Sequence, residues 1–222
     1  MIRGLRRSHI LLTLLLLFPL ILVACGGKSP TAAPPKAHEG PLTVVASIGP
    51  LGDFARHVGG DRVQVHVLVP PGASPHTYEP TPAQLKLLNR ADVLILNGVG
   101  LEFWAPKVLD TLDNPHLKVV VASEGLQVLQ TSEGERGGNP HLWLDVINAT
   151  HYVARIRDAF IAVDPAGKEV YLEKSADYIE TLKDLDKEIL FTVDRFANKK
   201  FIAFHPAWVY FARRYGLEQA AV

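Results

Sequence analysis

Three histidines of this 222-residue chain stand in similar punctuation. His76 lies in Pro70-Pro-Gly-Ala-Ser-Pro-His-Thr-Tyr-Glu-Pro80 and His141 in Asn139-Pro-His-Leu-Trp-Leu-Asp145. His205 ends the apolar run Phe201-Ile-Ala-Phe204, ahead of Pro206-Ala-Trp208. They are 65 and 64 residues apart, a spacing that no local finger uses. Three imidazoles at the ends of separate elements can converge on one metal ion, each offering a neutral ring nitrogen. Pro75, Pro140 and Pro206 flank them and fix backbone torsions, which lowers the entropy lost in holding a ligand in place. Each histidine also has a plainer reading. His76 could be a solvated turn residue, His141 a core histidine beside Trp143, and His205 a cap for the helix at Trp208. The other six, His9, His38, His57, His66, His116 and His151, read as structural or solvated.

The elements that must position these rings follow from periodicity. Residues 42–48, 62–69, 91–97 and 117–122 read as strands. Residues 50–58 and 101–112 read as helices, and Thr81-Pro-Ala-Gln84 is a helix start with a Thr cap and Pro at the first position. The alternation predicts a parallel sheet with helices on both faces. Residues 123–140 are polar and read as a loop. Asp145 is placed to cap a helix over 146–163, stopped by Asp164-Pro165. Residues 166–197 read as one helix of roughly 45 Å, with an apolar stripe through Ile179, Leu182, Leu185, Ile189, Val193 and Phe196. A helix of that length can tie two lobes together. A new β/α unit starts at 200–204, its helix at 208–215 ends at Gly216, and 217–222 looks like the edge of another strand.

The expected class is therefore α/β, with two parallel-sheet lobes joined by a single long helix and the second lobe incomplete. The expected divisions are 42–145 for the first lobe, 146–198 for the helices and 199–222 for the start of the second. Ligands in open parallel sheets bind beyond the carboxyl ends of strands. His76 and His205 occupy such ends, and His141 stands at the lobe boundary, so the site is expected in the cleft.

The first forty residues are not fold. Arg3, Arg6 and Arg7 precede an apolar run over 10–23, which closes in Leu22-Val-Ala-Cys25. That is a secretory signal, 1–24, with a lipoprotein-type cleavage site. The run is short for a membrane span, which needs about 20 residues. Cys25 is the only cysteine and has no internal disulfide partner; it reads as a lipid acceptor. Residues 25–41 read as a flexible tether rich in Gly, Pro and Ala. Without the three signal arginines the chain carries 20 basic and 23 acidic residues, a net of −3, so nothing suggests a nucleic-acid surface.

The motifs Pro75-His-Thr-Tyr-Glu-Pro80, Ala91-Asp-Val-Leu-Ile-Leu-Asn-Gly98, Asn139-Pro-His-Leu-Trp-Leu-Asp145 and Phe204-His-Pro-Ala-Trp-Val-Tyr-Phe211 occur in this order. Together they resemble the cluster A-I solute-binding lipoproteins of bacterial ABC importers for zinc and manganese (ZnuA/TroA-like). The resemblance implies two α/β lobes joined by one rigid helix, with metal between them. It implies His76, His141 and His205 as the first three ligands, and an acidic fourth beyond Val222. It also implies a monomer held in the cell envelope by a lipid on Cys25, working with a membrane permease and a cytoplasmic ATPase.

Three neutral imidazoles favour zinc, whereas manganese prefers carboxylate oxygen. The lack of histidine in 123–140 keeps manganese open, since many zinc importers of this kind carry a His-rich loop there. The expected work is capture and delivery of a divalent metal, not catalysis. Affinity is expected to fall as pH drops through about 6.5, where imidazole protonates. Glu79 and Asp145 are the expected hydrogen-bond partners of the ligating rings. A zinc hydrolase would show a His-Glu-x-x-His run or a Gly-x-Ser-x-Gly elbow, and neither is present. A surface adhesin on the same fold would bind its partner without metal.

Overall fold

Four strands, Leu42–Ala46 (β1), Val63–Val67 (β2), Val93–Leu96 (β3) and Lys118–Val121 (β4), form one parallel sheet in the order β2-β1-β3-β4 in a computed structural model. Its described residues are 40–130 and 137–221. The signal segment, Cys25 and most of the tether lie outside them.

Val44 pairs with Val65 on one side and Val93 on the other, which places β1 in the interior of the sheet. Successive side chains of a strand point to opposite faces. Accordingly Leu42, Val44 and Ala46 enter one apolar cluster, whereas Val45 enters the other with Leu94 and Leu96. Helices Gly49–Gly59 (α1) and Val146–Val163 (α4) cover the first face through Leu51, Val58, Tyr152 and Ile156. Helices Pro82–Leu88 (α2) and Ala105–Leu109 (α3) cover the second through Leu88 and Ala105. Burial on both faces explains why β1 and β3 read as apolar runs, whereas β2, at the edge and only partly buried, keeps the alternation Val63-Gln-Val-His-Val67.

The long helix Lys168–Asp194 (α5) has 27 residues and packs on α1 and α4. It is shorter than the 166–197 span expected, because Pro165–Gly167 forms a 3-10 turn before it and the chain leaves the helix at Arg195. Lys200–Ile202 (β5) and Glu218–Ala221 (β6) pair in parallel as a second, two-stranded sheet, connected by Val209–Tyr215 (α6). Gly216 ends α6 in the left-handed conformation, φ 66°.

The expected helix over 101–112 shrinks to α3. Gly98, Val99 and Gly100 all have positive φ, at 91°, 54° and 75°. A β-branched residue there costs about 1–3 kcal/mol. After this turn Glu102 is buried, its carboxylate facing Ser47, Asn97 and Gly98.

Thr81 caps α2 as a reciprocal box, its hydroxyl accepting from Gln84 N and its own N–H donating to Gln84 Oε1 at 2.9 Å. Thr81→Ala should lower stability by about 1 kcal/mol, read as a shift in urea midpoint with an unchanged slope.

Candidate metal centre

Each of the three rings hangs from a short, braced turn. His76 sits in the 3-10 turn Pro75–Thr77, in the loop after β2. Gln84 braces that loop: its Nε2 donates to Leu68 O at 2.8 Å and its Oε1 accepts from Tyr78 Oη at 2.6 Å. His141 directly precedes the 3-10 turn Leu142–Leu144, which feeds α4. His205 lies beyond β5, extended at φ −143°, and is followed by the 3-10 turn Pro206–Trp208.

These turns bring the rings together. One ligand atom from each of His76, His141 and His205 lies within 4.8 Å of the others. Ring centroids are 5.2 Å apart for His76–His141 and His76–His205, and 4.7 Å for His141–His205. The Nε2 atoms of His141 and His205 are 3.0 Å apart. A tetrahedral zinc with Zn–N near 2.0–2.1 Å separates its nitrogens by about 3.3 Å, so this pair needs almost no adjustment. His76 Nε2 is buried with no hydrogen-bond partner among the described residues. A buried nitrogen lone pair left without a proton or a cation is costly, and a ligand position accounts for it.

Burial varies across the trio: His141 is 4 % exposed, His76 half-buried and His205 exposed. Burial, and then the neighbouring rings of His205 and His76, push the His141 imidazolium down to about 3. Burial, then His205, likewise lowers His76. Both rings are therefore neutral at neutral pH, with nitrogens ready for a cation. This corrects the expectation of a fall in affinity through pH 6.5 for all three. Three unperturbed imidazoles would give about a 30-fold loss of affinity from pH 7 to pH 6. A much smaller loss is expected here, measurable by chelator competition at the two pH values.

The ring partners differ from those expected. Asp145 lies at the start of α4, where its Oδ1 accepts from the Ile147 N–H at 2.8 Å, and Arg214 Nε stands 3.6 Å away. Glu79 is exposed and lines a separate groove of about 300 Å³ with Pro80, Leu85 and Trp104. Neither touches a ligand ring. Helix capping takes the Asp145 carboxylate, and the loop turns Glu79 outward.

Asn139 takes the part instead. Its Oδ1 is 2.9 Å from His141 Nδ1 and accepts the His141 backbone N–H at 3.0 Å, while its Nδ2 donates to Pro206 O at 2.7 Å. The Asn-Pro-His triplet was the available signal: an Asn oxygen bonding the N–H two residues on is an Asx turn.

Behind it lies a second buried network that the sequence did not disclose. Asn97 Nδ2 donates to Pro140 O at 2.9 Å, and Asn97 Oδ1 accepts from Tyr152 Oη at 2.8 Å. Glu102 accepts from Ser47 Oγ at 2.6 Å and from the N–H groups of Asn97 and Gly98, both at 2.9 Å. Burial outweighs those bonds and raises the Glu102 carboxyl. The network fixes the ends of β1 and β3 against the segment that carries His141.

Trp143 packs its ring 5.2 Å from that of His141, and Trp104 is in the core. His57 stacks on Tyr178 at 3.9 Å and His151 bonds Glu124 O at 2.8 Å, both remote from the trio.

Similarity to known proteins agrees with this geometry. Residues 44–222 match the profile of the ZnuA family, described as the periplasmic component A of a zinc-uptake complex. The zinc-binding lipoprotein AdcA of Streptococcus pneumoniae is 33 % identical over 97 % of this chain, which spans only 44 % of that relative's length. The manganese ABC transporter substrate-binding lipoprotein PsaA of Streptococcus anginosus is 34 % identical over 95 % of this chain and 70 % of its own. The crystal structure of Zn(II)-bound AdcA from S. pneumoniae superposes with a TM-score of 0.76 at 34 % identity, over 82 % of this chain and 39 % of that one. A profile match across most of the chain, relatives at a third identity and a shared α/β fold lead to one conclusion: the chain belongs to the ZnuA family.

Proposed function

We propose that His76, His141 and His205 ligate a divalent transition metal, zinc by preference, and that the protein captures it outside the cytoplasm for delivery to an ABC importer. The observation that carries this reading is the convergence of three imidazoles from distant segments within 4.8 Å. Two relatives of nearly equal similarity are named for zinc and for manganese, so the donor set must choose the ion. Three nitrogen donors suit borderline-soft zinc better than manganese. Three protein ligands leave one tetrahedral position for water or a further donor.

The work is binding and release, not catalysis. Cys25 would carry the lipid that keeps the protein beside its permease, raising local concentration there. No described helix is long and apolar enough to cross a membrane. The divisions 42–145, 146–198 and 199–222 are proposed as a first lobe, a helical connection and the start of a second lobe. In support, the β5–β6 unit leaves Ile202, Phe204 and Trp208 exposed beside His205, as a face meant to be covered would.

Competition against a chromophoric chelator tests the reading. The expected result is one zinc per chain, bound at least 100-fold more tightly than manganese. Manganese binding as tight as zinc would overturn the choice of ion, and zinc affinity left unchanged by loss of any one ring would overturn the site.

A further inference from the structure

Asn139 is wholly buried, and every polar atom of its side chain is committed. Its amide orientation is fixed by two backbone groups that cannot exchange roles. The His141 N–H can only donate, so the oxygen faces it at 3.0 Å. The Pro206 carbonyl can only accept, so the nitrogen faces it at 2.7 Å. His141 Nδ1, 2.9 Å from that oxygen, must then carry its ring proton, which leaves Nε2 with its lone pair toward His205. The Asn139 backbone carbonyl accepts from Tyr210 Oη at 2.8 Å, and that hydroxyl accepts from Leu129 N–H at 2.9 Å. One residue thus holds the His141 ring with one end of its side chain and the turn after His205 with the other.

We propose that Asn139 is a positioning residue that yokes the His141 ring to the His205 arm, so that both rings move as one unit when a cation enters or leaves. This rests on reading the three rings as ligands. The two arms come from segments 64 residues apart, and β5, which precedes His205, is a three-residue strand in a two-stranded sheet. Such a strand gives the ring little support of its own. The amide bridge supplies it. Its loss would let His205 swing away singly, which opens the site stepwise and speeds release.

Asn139→Asp separates the two ends, since a carboxylate still accepts from His141 but cannot donate to Pro206 O. Asn139→Leu removes both. The test uses the full chain in mild detergent, with ¹⁵N-labelled imidazoles and His141→Gln to assign the ring. In the metal-free wild type, His141 should show a protonated Nδ1 and a bare Nε2. Asn139→Asp should keep that tautomer, shift or broaden the His205 signals, and speed zinc release to excess chelator about 10- to 100-fold. Asn139→Leu should disturb both rings and release zinc faster still, with thermal melts confirming that each variant is folded. A protonated Nε2 on wild-type His141, or an Asn139→Asp variant with wild-type His205 signals, overturns the proposal. Failure of the wild type to bind zinc would defeat the ligand reading alone, because the ring spectra need no metal.

Discussion

His141→Ala should lower zinc affinity by more than about 100-fold. Structural zinc sites contribute about 10–16 kcal/mol through four ligands, so one lost imidazole removes about 3 kcal/mol, a factor above 100. His141 should show the largest loss of the three. It is the most buried ring and the one held by a buried amide, so no water or neighbouring side chain can replace it at the same place. His76→Ala should follow, since the turn that carries it is braced by Gln84. His205→Ala should cost least, because an exposed position admits a water ligand. Chelator competition gives the order. Thermal shift gives a second reading, since a ligand at 100 times its Kd adds about 2.7 kcal/mol to stability. That gain should vanish in His141→Ala and persist in His57→Ala, whose ring stacks on Tyr178 elsewhere.

The second large effect is expected from the ion pair that fastens α6 to α5. Arg214 donates from Nε and Nη2 to the two oxygens of Asp186, at 2.5 Å each, and Tyr215 Oη donates to Asp186 Oδ1 at 2.8 Å. Asp186 is 7 % exposed. Removing Asp186 leaves Tyr215 Oη buried without its acceptor and Arg214 with only Asp145, 3.6 Å away; such a loss costs about 3–5 kcal/mol in a full interior and about 2–4 here, since Arg214 keeps that contact and some contact with water. Asp186→Ala should therefore lower the melting temperature by several degrees and weaken zinc binding too, because α6 is the anchor of the His205 turn. Arg214→Lys should recover part of the stability, as a point charge cannot reproduce the fork.

The pair also sets an acid limit. The Arg214 bonds come first among the causes that hold the Asp186 carboxyl below its ordinary value. A carboxyl depressed in the folded state contributes stability that is fully present above its unfolded value of about 3.9, and loses it as pH falls through the folded value. Stability should thus decline below about pH 4 in the wild type, and the decline should be shallower in Asp186→Ala, as followed by urea titration at each pH.

What could be read in the sequence was local or periodic. The three clustered histidines stood out because each ring ends an apolar run or a proline-rich turn. Thr81 and Asp145 were legible as caps because a cap and its donors lie within three residues. The parallel sheet followed from three apolar runs and one alternating run, 62–69, separated by helical stretches. Partners joined only by folding were not legible. Asp186 and Arg214 are 28 residues apart, Asn97 and Pro140 are 43, and Asn139 and Pro206 are 67. Glu79 and Asp145 were expected beside the rings because they are near them in sequence, but nearness along a chain does not decide where a carboxylate turns. The shortened α3 had a local cause, the positive φ values at 98–100, yet Val99 gives no composition signal for them.

The spacing of the rings has a consequence for the topology of the loaded chain. A cation on His76, His141 and His205 closes two loops of about 65 residues each, and a permanent cross-link over such a loop would stabilise by about 4 kcal/mol. A metal is a staple that can open, but only by letting its cargo go. Complete unfolding of the loaded protein must then wait for dissociation, so the residence time of the ion sets the lower bound on the lifetime of the native chain. Susceptibility to a protease should rise with the off-rate of the metal and fall as free metal increases, because rebinding competes with unfolding of the emptied chain.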